Sequence, residues 1–265
     1  MKSLYDVKLS FCTVTFNNED KITRLIKNIE QVTQKFESAN IYIVDNGSVD
    51  STVRIVKKFK ENYSNLHLIQ PPKNRGFGAG NNAIIKFLKS DYHILVNPDI
   101  EILNATELVK MISYMEKHKD IGLLSPLILN SDKETVQKLY KHDPTILDMA
   151  LRFISPKIMK KRQAWFVHEE TGYTKIGKIG HASGAFMFFR TKVFKEIGGF
   201  DERYFMYMED ADITREVNRI SKAIYYPNAS VVHEWQRDSH KKIRFMIMTI
   251  TSMVKYFDKW GWKWM

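Results

Sequence analysis

Apolar positions along the first half of the chain switch between two periods. Residues 9–15 form a short, nearly continuous apolar run, the pattern of a strand buried on both faces. Ile22, Leu25, Ile26, Ile29, Val32 and Phe36 then recur at helical spacing. A second β-rich run, Ile41-Tyr42-Ile43-Val44, ends in the turn signal Asp45-Asn46-Gly47-Ser48. Val53, Val56 and Phe59 predict another helix, and residues 66–69 a third strand stopped by Pro71-Pro72. A Gly-rich turn follows, then a helix carrying Ala83, Ile84, Phe87 and Leu88. Residues 92–96 predict a fourth strand, cut off at Asn97-Pro98. Asn104 opens a further helix with Glu107 three residues on, a spacing close to a capping box.

This alternation predicts an α/β fold, a parallel sheet with helices on both faces. Ligands of such sheets bind beyond the carboxyl ends of the strands. The polar segments there are Phe16-Asn17-Asn18, Asp45-Asn46-Gly47-Ser48, Asn74-Arg75-Gly76 and Asn97-Pro98-Asp99. Residues 130–174 are less regular and carry Lys133, Lys138, Lys141, Arg152, Lys157, Lys160, Lys161 and Arg162. From Lys241 onward, lysines mix with Phe245, Tyr256, Phe257, Trp260, Trp262 and Trp264.

A chain of 265 residues can bury a sizeable core. Its 44% hydrophobic and 27% charged residues are those of an ordinary globular protein. The single cysteine, Cys12, sits inside the first apolar run and reads as a buried thiol. That excludes a disulfide framework or a cysteine metal site within one chain, and fits a reducing compartment. No secretory leader precedes the first strand, and the apolar-leaning stretch at residues 245–254 is shorter than a bilayer span of about 20 residues. A net charge of +11 implies an anionic partner: nucleic acid, a phosphorylated substrate or an anionic membrane.

Four segments carry candidate chemistry. In Asn97-Pro98-Asp99 a carboxylate at a strand end is placed to reach a divalent cation on a diphosphate, although the tripeptide is also ordinary turn chemistry. Met208-Glu209-Asp210-Ala211-Asp212 puts three carboxylates into five residues after an aromatic stretch. Such a cluster serves either as helix N-terminal charge or as a general base beside an apolar wall. Residues 74–81 resemble a phosphate cradle at a helix start, but their glycine spacing is neither a Rossmann fingerprint nor a P-loop. His233 ends another apolar strand, and Ser239 and His240 nearby are placed to bind phosphate or cap the next helix.

The order of these segments resembles the family-2 glycosyltransferases of GT-A (nucleotide-diphospho-sugar transferase) fold. The resemblance runs through Thr15-Phe16-Asn17-Asn18, Val44-Asp45-Asn46-Gly47-Ser48, residues 74–82 and Asn97-Pro98-Asp99. It continues through Ser183-Gly184-Ala185-Phe186-Met187, Gly198-Gly199-Phe200-Asp201-Glu202, residues 205–212 and His233. Within the family, the Asn-Pro-Asp form looks most like rhamnosyltransferases of O-antigen and capsule assembly. The resemblance implies a Rossmann-like, mostly parallel sheet. The GT-A domain would span residues 1–240, a nucleotide-binding half at 1–125 and an acceptor half at 126–240, before a basic aromatic helical segment at 241–265.

It also implies roles. Thr15, Asn17, Asp45, Asn46, Asn74 and Gly76 would hold the donor nucleotide, and Asn97 and Asp99 its diphosphate. Asp99 and His233 would hold Mg²⁺ or Mn²⁺; Asn97 stands where many relatives have Asp, leaving fewer carboxylates for the metal. Ser183 and Gly184 would line the donor sugar. Asp210 would be the general base of an inverting displacement, with Glu209 and Asp212 in support. The implied partners are a dTDP- or UDP-linked sugar, with dTDP-rhamnose first and a UDP-hexose or UDP-galactofuranose second, and a glycan or polyprenyl-diphosphate-linked acceptor.

Two rival readings fare worse. A nucleic-acid-binding module leaves the acidic cluster unexplained and shows no reader motif. A nucleotidyltransferase would need a basic, Gly-rich signature that Asn17-Asn18 does not supply. The basic, aromatic C-terminus suits either a membrane-surface helix or a helix packed on the domain. The expected setting is the cytoplasm, peripheral at the inner face of the cell membrane, with a homodimer left open.

Overall fold

The structure, a computed structural model, describes residues 5–154, 157–234 and 243–265. Trp235, Ser239, His240 and Lys241 lie outside these residues, as does the side chain of Arg152. The amino-terminal half alternates as its periodicity predicts. Strands β1 (Lys8–Thr15), β2 (Ser38–Asp45), β3 (Leu66–Ile69) and β4 (Tyr92–Val96) are separated by helices α1 (Ile22–Thr33), α2 (Thr52–Lys60) and α3 (Phe77–Asn82). These four strands are parallel, in the order β3-β2-β1-β4. Ile22, Leu25, Ile26 and Ile29 of α1 are fully buried against the sheet, as a helical apolar stripe requires. Cys12 is buried in β1.

Beyond β4 the sheet changes character. It contains β5 (Ile100–Ile102), β6 (Ile121–Leu129), β7 (Gly177–Lys178), β8 (Phe186–Arg190) and β9 (Lys222–His233). Strand β8 runs antiparallel between β4 and β6, and β6 pairs parallel with β9. The nine-stranded sheet is therefore parallel in its first half and mixed in its second. Helices α4 (Ala105–Lys117), α5 (Ile146–Ile154), α6 (Lys160–Phe166), α7 (Thr191–Glu196) and α8 (Glu209–Ile220) accompany this half.

Two local expectations need correction. The Gly-rich segment is not a turn before a helix but is itself the helix α3, followed by a 3₁₀ turn at Ile85–Phe87. A Cβ on Gly80 would come within 2.8 Å of Val14, and one on Gly78 within 2.8 Å of Phe200, so the glycines let α3 lie close between β1 and the 200 loop. At α4, Asn104 caps Thr106 N–H, but Glu107 does not reach back. It accepts from Ser230 N–H at 2.7 Å and from Lys110, joining α4 to β9 instead of completing a capping box.

The last helix, α9 (Ile243–Trp260), has two faces. Tyr256 and Phe257 are buried in a small core with Met149, Phe166, Tyr204, Met208 and Ala211. Lys259 Nζ lies 2.9 Å from Asp212, 2.8 Å from Glu216 and 3.5 Å from Asp201. Trp260 Nε1–H donates to the other Asp212 oxygen at 2.7 Å. The tail beyond it accepts from the start of α5, through Lys263 and Trp264 carbonyls. On the opposite face Ile243, Met246, Ile247, Ile250 and Val254 are exposed.

Removing the cation leaves Asp212, whose side chain is 2% exposed, as an unpaired buried charge. Lys259→Met is therefore expected to cost roughly 3 kcal/mol of stability, because breaking a buried pair strands its partner. Urea unfolding followed by tryptophan fluorescence checks this.

Candidate active site

The carboxyl ends of β1 and β2 are in register, with Thr15 beside Asp45. Thr15 Oγ1 donates to Asp45 at 3.0 Å, and Gly47 N–H, Ser48 N–H and Ser48 Oγ also donate to it. Asp45 is 1% exposed and both its oxygens are engaged, so it holds the loop in shape. Asn17, at a positive φ of 57°, stitches the first loop to this one: its N–H donates to Ser48 Oγ and its Oδ1 accepts from Val49 N–H. Asn46 Nδ2–H donates to Gly76 O at 3.2 Å, and Asn74 Oδ1 accepts from Gly76 N–H at 2.9 Å. A cavity of about 470 Å³ opens here, lined in part by Asn46, Lys73, Arg75, Asn82 and Glu202.

Gly76 is required. Its φ is +95°, and an added Cβ would sit 2.0 Å from Phe205 O. The neighbouring Phe77 N–H donates to that carbonyl at 3.1 Å. The donor-side loop and the segment leading to the acidic cluster are thus in backbone contact.

Asn97 and Asp99 follow β4. Asn97 N–H donates to Ala185 O at 2.9 Å, which ties this turn to the Ser183-Gly184-Ala185 loop. Asp99 sits between two basic groups: Lys21 Nζ is 3.4 Å from Oδ2 and His233 Nε2 is 3.3 Å from Oδ1. Burial pushes the Asp99 carboxyl up, but His233 and Lys21 outweigh it and hold the pKa below the ordinary value. The carboxylate is therefore ionised. Its Oδ1 is buried and has His233 Nε2 at 3.3 Å without an aligned hydrogen bond. An orphaned anionic oxygen beside an imidazole nitrogen is a donor set that suits a divalent cation such as Mn²⁺ or Mg²⁺.

The second acidic cluster begins at a strained turn. Tyr207 and Met208 are both at positive φ, 71° and 65°, immediately before α8. Two left-handed non-glycine residues cost about 1–3 kcal/mol each and fix the direction in which the following side chains leave the backbone. Asp210 points toward the Ser183-Gly184-Ala185 loop: Gly184 N–H lies 3.4 Å from its Oδ2. Its Oδ1 accepts from Ala211 N–H at 2.9 Å and faces His181 Nε2 at 3.1 Å. Burial raises the Asp210 carboxyl, but His181 and Lys141 hold it well below the usual carboxylate range. Glu209 behaves oppositely. Its burial, then the charge of Asp210, push it up to about 8, and its Oε2 has no hydrogen-bond partner. At neutral pH the pair is a protonated Glu209 beside an ionised Asp210.

Asp212 is not brought to this face. Successive helical residues turn about 100°, so residues two apart face nearly opposite ways. Asp212 points to Lys259 and Trp260 and serves as the anchor of α9. Ser183 is 8% exposed and accepts from Ala185 N–H at 3.3 Å.

Sequence reasoning missed Lys21, Gln137 and His181. Lys21 had a signal, because a lysine opening a helix opposes the macrodipole and implies an anion nearby. Gln137 and His181 had none. Among the described residues, His142, His168 and Glu170 also bring metal-ligand atoms within 4.8 Å. Their imidazoles are stacked face to face, 3.6 Å between centroids, in a pile with Trp165 and Tyr140. The in-plane lone pairs of stacked rings run side by side and do not converge on an ion.

The raised pKa of Glu209 makes a pH prediction. Its neutral form contributes stability that is fully present below the unfolded carboxyl value of about 4.3. That contribution is lost as pH rises through the folded value of about 8. The protein is expected to lose stability between roughly pH 5 and pH 9, and Glu209→Gln to lack that loss. Urea midpoints of both proteins at the two pH values check this.

Comparison with known proteins agrees with this geometry. Residues 10–198 match glycosyl transferase family 2. The N-acetylglucosaminyl-diphospho-decaprenol L-rhamnosyltransferase of Mycobacterium tuberculosis is 26% identical over 242 residues, covering 85% of this chain and 75% of that protein. The rhamnosyltransferase WbbL of Escherichia coli K12 is 25% identical over 234 residues, covering 85% and 83%. Among solved structures, the mannosyltransferase PcManGT of Pyrobaculum calidifontis, in complex with GDP-Man and Mn²⁺, superimposes with a TM-score of 0.67 at 15% identity. That match covers 96% of this chain and 64% of the mannosyltransferase. Staphylococcus aureus TarS residues 1–349 with UDP-GlcNAc gives a TM-score of 0.62 at 18% identity, covering 95% of this chain and 67% of that one. The fold is thus the GT-A fold, and the chain belongs to glycosyl transferase family 2 and is a glycosyltransferase.

Proposed function

We propose that this glycosyltransferase moves L-rhamnose, from dTDP-rhamnose, to a hydroxyl of a glycan or polyprenyl-diphosphate-linked acceptor in cell-surface polysaccharide synthesis, with inversion at the anomeric carbon. The observation that carries the reading is Asp210, an ionised carboxylate aimed at Gly184 on the loop that Asn97 ties to the Asp99 turn. The two rhamnosyltransferases similar over 85% of the chain support the choice of sugar.

Asp210 takes the proton of the acceptor hydroxyl. The oxygen forms its bond to the anomeric carbon while the bond to the diphosphate oxygen breaks, and the nucleoside diphosphate leaves with the charge. Only one base is needed, and the single displacement inverts the centre. His181 and Ala211 N–H hold one Asp210 oxygen, so the carboxylate keeps its orientation. Lys21 meets negative charge on the leaving side with a fixed cation. A divalent cation held by Asp99 and His233 would supply further charge stabilisation to the diphosphate. Thr15, Asn17, Asp45, Asn46, Asn74 and Gly76 shape the nucleotide end, with Asp45 acting through the loop it holds.

The exposed stripe of α9 supports peripheral contact with an anionic membrane at the cytoplasmic face, where a lipid-linked acceptor resides. Ile243, Ile247, Ile250 and Val254 follow one helical face. Exposed Ile158 and Met159 are flanked by Lys157, Lys160 and Lys161, and α6 shares the small core of α9 through Phe166. No described helix is long and apolar enough to cross a membrane.

Asp210→Asn is expected to lower kcat by about 10²–10⁴, the usual worth of a general base, while donor binding stays within about twofold. Nucleoside-diphosphate release across a panel of dTDP-rhamnose and UDP-hexoses, with binding measured by calorimetry, reads both. Full transfer by the Asn variant would remove Asp210 as the base.

The membrane reading expects co-sedimentation with phosphatidylglycerol vesicles at low salt, and loss of it in Ile247→Asp/Ile250→Asp. Protein that stays in the supernatant, or that elutes as a dimer through this stripe, counts against it.

A further inference from the structure

His233 and Asp99 face each other at 3.3 Å, and the side chain behind His233 decides what that contact is. Gln137 is 8% exposed and held by its own backbone, whose N–H donates to Ile128 O at 2.8 Å. Its side-chain amide lies 2.9 Å from the backbone carbonyl of His233 and 2.8 Å from Asn130 Oδ1. A backbone carbonyl only accepts, so the atom facing it is the amide nitrogen, whichever way Asn130 is turned. The Gln137 oxygen therefore faces His233 Nδ1, at 2.9 Å. That oxygen only accepts, so Nδ1 carries the hydrogen.

The consequence reaches the other side of the ring. In a neutral imidazole with hydrogen on Nδ1, Nε2 presents a lone pair. Here Nε2 lies 3.3 Å from Asp99 Oδ1. The second Asp99 oxygen is already occupied by Lys21. Positive charge holds the Nε2–Oδ1 contact together, either the second ring proton of an imidazolium or a metal ion in its place.

We infer that Gln137 is a positioning residue which commits His233 to the tautomer with a free Nε2 lone pair, so that His233 and Asp99 Oδ1 together bind a divalent cation. The inference rests on the reading of Asp99 and His233 as the cation-holding pair. It adds a residue from the irregular 130–174 segment to the donor end of the site. With Asn97 in place of an acid the site depends the more on that imidazole, and Gln137 makes it available. Outer partners of this kind typically change metal affinity by about 10–100-fold.

Two measurements test it, and neither uses a sugar donor. The first is ¹⁵N imidazole NMR of the metal-free protein, read at the alkaline end of a pH series where the His233 signals no longer move. The His233 signals, identified by their loss in His233→Asn, are expected to show a protonated Nδ1 and a bare Nε2. A ring protonated on Nε2 overturns the inference, and this holds even if no Gln137 variant folds. The second is Mn²⁺ binding, followed by the EPR signal of the free ion. Gln137→Leu is expected to weaken binding by about 10–100-fold. Gln137→Glu is expected to restore it, because a carboxylate still accepts from Nδ1 although it cannot donate to the His233 carbonyl. A merely structural role would be moved by both variants alike. Binding by the Leu variant as tight as that of the unaltered protein, or no rescue by Glu, overturns the inference. If these results hold and transfer is still absent across the donor panel, the fault lies in the choice of donor and not in Gln137.

Discussion

Strand β8 lies antiparallel between β4 and β6, with Phe186 opposite Val96. The site depends on this pairing. Just before β8 runs the loop Ser183-Gly184-Ala185, and just after β4 runs Asn97-Pro98-Asp99. Antiparallel pairing puts the start of one strand beside the end of the other, and the hydrogen bond from Asn97 N–H to Ala185 O closes that junction. Gly184 then stands between Phe77 and Asp210, where an added Cβ would touch both in ordinary contact at 3.4–3.6 Å. A loop distant in sequence from both acidic clusters therefore sits between them. Were β8 parallel, its leading loop would lie beside the amino end of β4, away from Asn97 and Asp99.

Four buried or partly buried carboxylates are compensated in four ways, and the differences sort their roles. Asp99 has a lysine on one oxygen and an imidazole on the other. Asp210 has an imidazole and the N–H groups of Ala211 and Gly184. Asp212 has an ammonium and an indole N–H from α9, which makes it a structural anchor. Glu209 has an unpartnered oxygen and the charge of Asp210 beside it, so it keeps its proton. A charge removed from water without a partner is costly, so each group either finds a cation or stays neutral. The result is one ionised carboxylate on each side of the Gly184 loop.

Helix α9 links this arrangement to the outer surface. Its Lys259 and Trp260 hold Asp212 of α8, and Ser252 Oγ donates to Met206 O in the strained turn that aims Asp210. The face away from these contacts is apolar. One helix thus braces the strained turn before α8 on one side and presents a stripe exposed among the described residues on the other. The two uses that its composition allowed, packing and surface display, belong to different faces.

The alternating periods of residues 9–96 determined the parallel half of the sheet and its helices, because burial on two faces and on one stripe leaves distinct spacing in the chain. The order of the segments around Asp45, Asn74, Asn97, Ser183 and Asp210 carried the resemblance to the family. What the spacing left open was decided by contacts between residues far apart. Asp99 gains Lys21 from 78 positions away, and His233 gains Gln137 from 96. Asp212 gains Lys259 from 47, and Asp210 gains His181 from a loop ahead of β8. Protonation, tautomer and orientation are set by the charge and hydrogen-bond partners within a few ångströms, and only the folded chain brings those partners together.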